Sequence, residues 1–170
     1  MWWRSTLAAA ALAVAALSLG GCGIQPLYGS TASGSRLAAV MSAVQITPIP
    51  GRVGQKVRNE LIFGATGGGD AAPSRFRLDI VVKESVTNEM VRISGDATGA
   101  VYQLSATFKL INAADGKVIY EGEAMSRSAF ERYQQIYSNV RARYDAENRA
   151  ASAVAESIKV RVAAFLSSAA

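Results

Sequence analysis

Residues 75–92, RFRLDIVVKESVTNEMVR, decide the fold that this sequence predicts. Apolar and polar side chains alternate through the first half of this stretch. One face holds Phe76, Leu78, Ile80 and Val82, and the other holds Arg75, Arg77, Asp79 and Lys83 together with Val81. Such alternation is typical of an antiparallel sheet with one face covered and one in water. The pattern therefore predicts a long strand over 75–92, followed by a turn at 94–96.

The alternation returns twice after this strand. Residues 99–111 place one set of apolar side chains on a single face: Tyr102, Leu104, Ala106, Phe108 and Leu110. Asp115 and Gly116 are typical of a hairpin turn. The next predicted strand covers 117–127, with Val118 and Tyr120 facing the core, and 128–137 is predicted to be irregular. Three strands joined by short turns are expected to be antiparallel neighbours.

Two other segments have helical periodicity. Val53, Val57 and Leu61 form one apolar stripe, which predicts a helix that ends near Phe63 with Gly64 as its C-cap. Residues 138–166 contain neither Pro nor Gly. Their core stripe consists of Ala151, Val154, Ala155, Ile158, Val162 and Phe165. A short strand over 43–49, ended by prolines, is predicted before the first helix.

The predicted element order is therefore β-α-β-β-β-α. It indicates an α+β two-layer sandwich, with two helices packed on one face of a four-stranded, mostly antiparallel sheet. The pattern leaves the position of the first strand in the sheet open. Residues 43–168 are predicted to form a single domain, a length that suits one hydrophobic core.

The N-terminal residues have the layout of a secretory signal. Arg4 precedes a short apolar run, and Leu19-Gly20-Gly21-Cys22 has the form of a lipobox. We expect 1–21 to be a lipoprotein signal peptide, Cys22 to be acylated, and 22–42 to be the acylated N-terminus with a flexible tether. An ordinary signal with an incidental cysteine is the weaker alternative, because Cys22 is the single cysteine of the chain. Gly23, in place of the Asp of an inner-membrane retention signal, favours a lipid anchor in the outer membrane that faces the periplasm.

Composition narrows the possible functions. The chain has no His, which removes the commonest general base and metal ligand. With Cys22 committed to lipid, we expect no disulfide. Because the sequence has neither His nor a recognisable site motif, we also expect no catalytic site, no metal and no cofactor. The formal net charge of +5 can favour acidic partners such as phosphorylated glycolipids, but from charge alone a solvated basic surface is the favoured interpretation. Nucleic acid is not an expected partner in the periplasm.

Basic residues cluster in sequence on and beside the predicted strands. They are Arg75, Arg77, Lys83 and Arg92, extended by Lys109 and Lys117. Arginine forks match phosphate oxygens, so a basic sheet face could hold an anionic glycolipid head group. The same charges could equally protect exposed strands from pairing with other chains. Sequence leaves the two interpretations open.

Several short segments, taken in order, resemble one known family. They are Gly21-Cys22-Gly23-Ile24-Gln25-Pro26-Leu27-Tyr28-Gly29, Val57-Arg58-Asn59-Glu60-Leu61, and Arg92 followed by Ala100-Val101-Tyr102-Gln103-Leu104. Together with the Ala-rich last helix, this combination is similar to the alphaproteobacterial type of LPS-assembly lipoprotein, LptE.

The resemblance implies a non-enzymatic lipoprotein that plugs the outer-membrane barrel LptD as a 1:1 heterodimer. It implies a role in LptD folding and in delivering lipopolysaccharide (LPS) to the outer leaflet. It also implies an LPS contact at Arg92, in the loop before the Tyr-Gln strand, and a second basic contact near the last helix at Arg141 or Arg143. This chain lacks the long polar C-terminal tail of some members.

Two other functions remain as alternatives. One is an auxiliary lipoprotein of a lipid-transporting ABC system in the cell envelope, which would have inner-membrane partners. The other is a periplasmic hydrolase, which the lack of His and of a convergent acidic pair disfavours.

Overall fold

The computed structural model describes residues 32–91, 97–132 and 135–168. Within them we label the elements in chain order. They are α1 (Ala32–Ser42), β1 (Val44–Ile46), α2 (Gly51–Thr66), β2 (Phe76–Val91), β3 (Ala97–Asn112), β4 (Val118–Glu131) and α3 (Ile136–Ser168). The expected signal peptide, Cys22, Arg92 and the expected turn at 94–96 lie outside the described residues.

The strands form one sheet in the order β1-β2-β3-β4. β2, β3 and β4 are antiparallel neighbours, as the sequence predicts, with Phe76 opposite Asn112 at the start of β2. β1 lies at the edge and pairs in parallel with the start of β2, where Val44 is opposite Phe76. The position of the first strand in the sheet, which the sequence leaves open, is therefore at the edge beside β2. Thr47 N–H makes a last backbone bond to the Leu78 carbonyl of β2, and Pro48 and Pro50 then lead the chain into α2 at Gly51.

We name the two ends of the sheet for later use. The base comprises 44–46, 76–78 and 110–120, and the tip comprises 83–91, 97–105 and 125–131. α3 has 33 residues, about 50 Å at 1.5 Å per residue, and the 16 residues of β2 span about 53 Å. The last helix is therefore long enough to run the full length of the sheet, from tip to base.

The core lies between one face of the sheet and the helices. Even-numbered strand positions face the helices, and Tyr102, Leu104 and Leu110 are completely buried there. Odd-numbered positions form the open face, where the Val81 side chain is 61% exposed. The predicted helix stripes are buried against this core, α2 through Val53, Val57 and Leu61, and α3 through Ala151, Val154, Ala155, Ile158 and Val162. The predicted two-layer α+β sandwich is thus confirmed, with one helix added.

That added helix corrects the expected flexible segment at 22–42. Residues 32–42 form α1, in which Leu37 is 6% and Met41 4% exposed, and both belong to the core cluster. Leu37, Val40 and Met41 have the i, i+3, i+4 spacing that brings side chains to one side of a helix. The small residues around them hide this signal, because they are also typical of linkers.

Three predicted details differ in the structure. β4 continues to Glu131, where the sequence predicts irregular chain from 128. α2 continues to Thr66 and ends at Gly67, whose φ of 62° is left-handed, rather than at Gly64. Gly64 lies inside the helix, and a Cβ there would be 2.8 Å from the Lys159 side chain of α3. The glycine therefore permits a close approach of the two helices.

The third difference concerns the start of β4. Val118 is exposed, whereas Ile119 and Tyr120 pack against the core. The β3–β4 register shifts between Leu110 and Ile111, which face Tyr120 and Val118 respectively. A bulge of this kind breaks the alternation of faces, so a strict period of two assigns Val118 to the wrong side.

Candidate functional site

The candidate basic residues on β2 lie on the open face but not together. The Arg77 guanidinium binds the Asp79 carboxylate on the same strand, at 3.1 and 3.2 Å. Lys83 lies six residues further, about 20 Å along the strand at about 3.3 Å per residue. Arg75 precedes the strand, with its guanidinium 5.8 Å from the centre of the Phe76 ring. These three cations therefore do not converge on one ligand-sized site.

The open face around them carries charges of both signs. Lys109 of β3 lies between Asp79 of β2 and Glu121 of β4 in the cross-strand register. Further along, Glu123 and Arg127 occupy alternate positions of β4 on the same face. Opposite charges on neighbouring strands stabilise a sheet modestly. The middle of the open face is thus mixed in charge rather than uniformly basic.

The candidates on α3 lie on the other side of the sheet. Arg141 is exposed. Arg143 donates from Nε to Glu147 Oε1 at 2.8 Å, one helical turn away. Arg52 at the start of α2 binds the other oxygen of the same carboxylate. We call Arg52, Arg143 and Glu147 the Glu147 clamp, because two cations from two helices hold one carboxylate.

The Glu147 clamp is partly buried. The Glu147 side chain is 5% exposed, whereas those of Arg52 and Arg143 are about half exposed. Arg52 also donates to Asn148 Oδ1 at 3.0 Å and stacks 4.6 Å from the centre of the Tyr144 ring. A buried carboxylate needs such partners, because its transfer out of water is otherwise costly. The clamp fixes the first turn of α2 against α3.

A second buried polar group lies beside the clamp. Tyr102 of β3 is fully buried, and its hydroxyl donates to Glu84 Oε2 at 2.8 Å. Burial raises the pKa of Tyr102 above its ordinary value, and the Glu84 carboxylate raises it further. Glu84, Tyr144 and the clamp residues line an open cleft of about 430 Å³. The cleft is therefore an arginine-bearing site whose arginines already have carboxylate partners.

Sequence reasoning misses the clamp, although one signal for it is visible. Glu147 stands four residues before Ala151 and so falls on the predicted core stripe of α3, with Arg143 four residues before it. An acidic residue on an apolar stripe, preceded by Arg at i−4, indicates a buried ion pair. Its second partner, Arg52, is distant in sequence and only the fold brings it near.

The first turns of α3 present an exposed apolar stripe. Ile136 and Tyr137 are 81% and 76% exposed, and Val140 and Tyr144 continue the stripe at helical spacing. Arg141 and Arg143 flank it. Exposed apolar groups with basic neighbours are a usual feature of interaction surfaces.

The described residues contain neither a metal-binding cluster nor a membrane-spanning helix. No three His, Cys, Asp or Glu residues among them are arranged to hold an ion. Likewise, none of the helices in the described ranges is both long and apolar enough to cross a bilayer.

This architecture is shared with solved lipoprotein structures. A candidate lipoprotein from Caulobacter crescentus CB15 superposes with a TM-score of 0.63 at 22% identity, over 79% of this chain and 98% of that one. The rare lipoprotein B from Shewanella oneidensis superposes with a TM-score of 0.50 at 12% identity, over 72% and 97%. At these identities the likeness shows the fold alone. No curated protein sequence matches the chain.

A sandwich of three antiparallel strands, a parallel edge strand and a long terminal helix thus defines a class of lipoprotein domains. Within that class, the family model of LptE, described as lipopolysaccharide-assembly, matches residues 41–162. The match covers most of the described domain, from the end of α1 into the last turns of α3. The chain belongs to the LptE lipopolysaccharide-assembly family.

Proposed function

We propose that this protein is an outer-membrane lipoprotein that acts with the LptD barrel in LPS assembly, as plug, folding factor and LPS-binding subunit. The family match over 41–162 carries this proposal. The function is non-enzymatic, in keeping with a sequence without His. Acylated Cys22 anchors the domain in the outer membrane, on the side that faces the periplasm.

The geometry suggests how the domain is oriented on its anchor. Cys22 precedes α1 in sequence, and α1 leads into β1 at the base. Arg141 and Arg143 lie in the first turns of α3, at the opposite end, and Arg92 comes next to Val91 of β2 in the sequence. We propose that the anchored base stays near the lipid and that the tip contacts LPS. Of the other LPS-contact candidates, Lys83 lies at the tip, whereas Arg75 and Arg77 lie at the base, away from the proposed contact.

Purification of the tagged full chain from gently solubilised membranes tests the partnership. We expect LptD in a 1:1 ratio, and depletion of the chain should leave LPS on the periplasmic side. Recovery of the chain alone, together with normal LPS export after depletion, would contradict the proposal. Inner-membrane transporter subunits in place of LptD would indicate an ABC-system lipoprotein instead.

A charge reversal tests the LPS contact. Arg92→Asp should weaken LPS binding, because it replaces a phosphate-binding cation with a repelling carboxylate. Thermal stability should change by about 0.5 kcal/mol or less, because the resemblance assigns Arg92 to ligand contact and not to the core. Lys56→Asp is the matched control, since Lys56 is a partly exposed cation of α2 that belongs to none of the candidate sets. Equal LPS affinity of the wild type and both variants would remove Arg92 from the site.

A further inference from the structure

Among the described residues, most of strand β2 has no partner strand along one of its edges. β1 pairs only with Phe76 to Leu78, and the chain then leaves the sheet. From Asp79 onward, the side of β2 that faces away from β3 has no neighbouring strand in the described part of the chain. The side chains of 83–89 are exposed on both faces. Within the described ranges, the backbone at the tip of β2 is therefore uncovered along this edge.

The contacts with β1 show which backbone groups point outward. Phe76 N–H donates to the Ala43 carbonyl at 3.3 Å, and the Leu78 carbonyl accepts from Thr47 N–H at 3.2 Å. Backbone groups alternate sides along a strand. The even-numbered residues from Ile80 to Asn88 therefore direct their N–H and C=O groups to the open edge, at the spacing that an extended chain matches.

Other sheet edges are capped by arginines. Arg58 Nε donates to the Ile46 carbonyl of β1 at 3.3 Å. Arg161 donates to the Glu123 carbonyl of β4 at 2.6 Å, and Arg149 to the Ala129 carbonyl at 2.9 Å. Proteins protect edges in this way because an open edge pairs with other strands.

The edge of β2 has no such cap. Among the described residues, neither a side chain nor a backbone group bonds the outward groups of 80–88. Its sequence has no proline, and Val81 and Val86 are large exposed apolar side chains. This part of the sheet is thus left available for pairing.

We propose that the edge of β2 at the tip pairs antiparallel with the same edge of a second copy of this chain. The charges along the strand select the register. When Val86 lies opposite Val86 of the second copy on the two-fold axis, each Lys83 faces a Glu89. Both are exposed, and neither has an ion pair within the described part of the chain.

Neighbouring registers are less favourable. Centring the pair on Lys83 or Glu84 would place identical charges opposite each other, which destabilises a strand pair. Centring it on Ser85 or Thr87 would lose both Lys83–Glu89 contacts. The register centred on Val86 also keeps β1 of each copy beyond the shared ladder, since β1 covers only 76–78. The pairing uses the same tip, including Lys83, that the proposed barrel complex uses. We therefore assign it to copies of the chain that are not seated in LptD.

Disulfide trapping tests the two-fold axis directly. In the full acylated chain, solubilised in mild detergent and treated with a mild oxidant, Val86→Cys should form a covalent dimer. Residues directly opposite in such a pair have Cα atoms about 5.5 Å apart, within disulfide range. Val81→Cys is the matched control on the same edge, because the two copies of residue 81 would be about 33 Å apart. A dimer from neither variant, or from both equally, would overturn the proposal.

Charge exchange tests the register. Lys83→Glu and Glu89→Lys should each reduce Val86→Cys dimer formation by roughly tenfold, since each change creates two like-charge contacts. Combining both exchanges in one chain should restore it. Reduction without restoration would reject this register. Cross-linking of the Val86→Cys variant to a different protein would assign the edge to a partner strand and overturn self-pairing.

Discussion

At the scale of single residues, the Glu147 clamp holds the one charged residue that is buried among the described residues. Its carboxylate is nearly fully buried, whereas both arginines reach solvent. Removing the carboxylate and removing the arginines should therefore have different effects on stability. Removing the carboxylate releases two cations that water can solvate, but removing both cations leaves a buried charge unpaired.

The double variant Arg52→Ala/Arg143→Ala should be destabilised by about 2–3 kcal/mol, somewhat below the usual range for a broken buried pair because the arginines are half exposed. Each single variant should lose about 1 kcal/mol or less, since the other arginine remains. Urea unfolding measures these differences. Arg141→Ala, an exposed arginine on the same helix, is the control and should stay within about 0.5 kcal/mol of wild type. Additive single effects would argue against a shared carboxylate.

Tyr102 gives a prediction in alkaline solution. Its pKa is raised in the folded protein, so the unfolded chain releases this proton first, near pH 10. The corresponding stability is present below pH 10 and is lost as pH rises toward the folded pKa. At neutral pH, Tyr102→Phe should cost about 1 kcal/mol through the lost hydrogen bond to Glu84. That difference from wild type should shrink in urea unfolding above pH 10, and an unchanged difference would contradict the assignment.

At the scale of elements, sequence periodicity predicts whatever follows one regular pattern. It finds β2, β3, the buried stripe of α2 and the core of α3, because each contains several successive periods of one regular pattern. It fails at Val118, where a bulge shifts the faces, and at Gly64, which lies inside α2 beside the Lys159 side chain and does not end the helix. It also misses α1, whose apolar side chains are few.

Helix α1 should behave as part of the domain rather than as a tether. Leu37→Ala or Met41→Ala should each destabilise the fold by about 2–4 kcal/mol, since both side chains are buried in the core. Ala38→Ser, at an exposed position of the same helix, should cost about 0.5 kcal/mol or less. Urea unfolding measures these differences in the free energy of unfolding, provided that its slope against urea concentration is the same for all variants. Equal stability of all three variants would indicate that α1 does not contribute to the core and acts as a tether.

At the scale of the whole molecule, the layer arrangement follows from the sequence but the candidate site does not. Two amphipathic helices and one-sided strands leave a two-layer sandwich as the compact solution. Which charges meet is decided by long-range packing. Arg52 joins Arg143 only because α2 packs on α3, while Arg77 takes Asp79 as its partner and stays far from Lys83.

The open edge of β2 has a further consequence for the exchange of amide hydrogens with deuterated solvent. Amides of β3 between Leu104 and Leu110 lie under the helices and should exchange only through global unfolding. On β2 from 83 to 89, odd-numbered amides bond β3 while even-numbered ones face solvent. Mass spectrometry or NMR should therefore show protection that alternates residue by residue. Loss of this alternation on concentrating the protein would report that the outward amides have found partners, whereas uniform protection at every concentration would contradict an open edge.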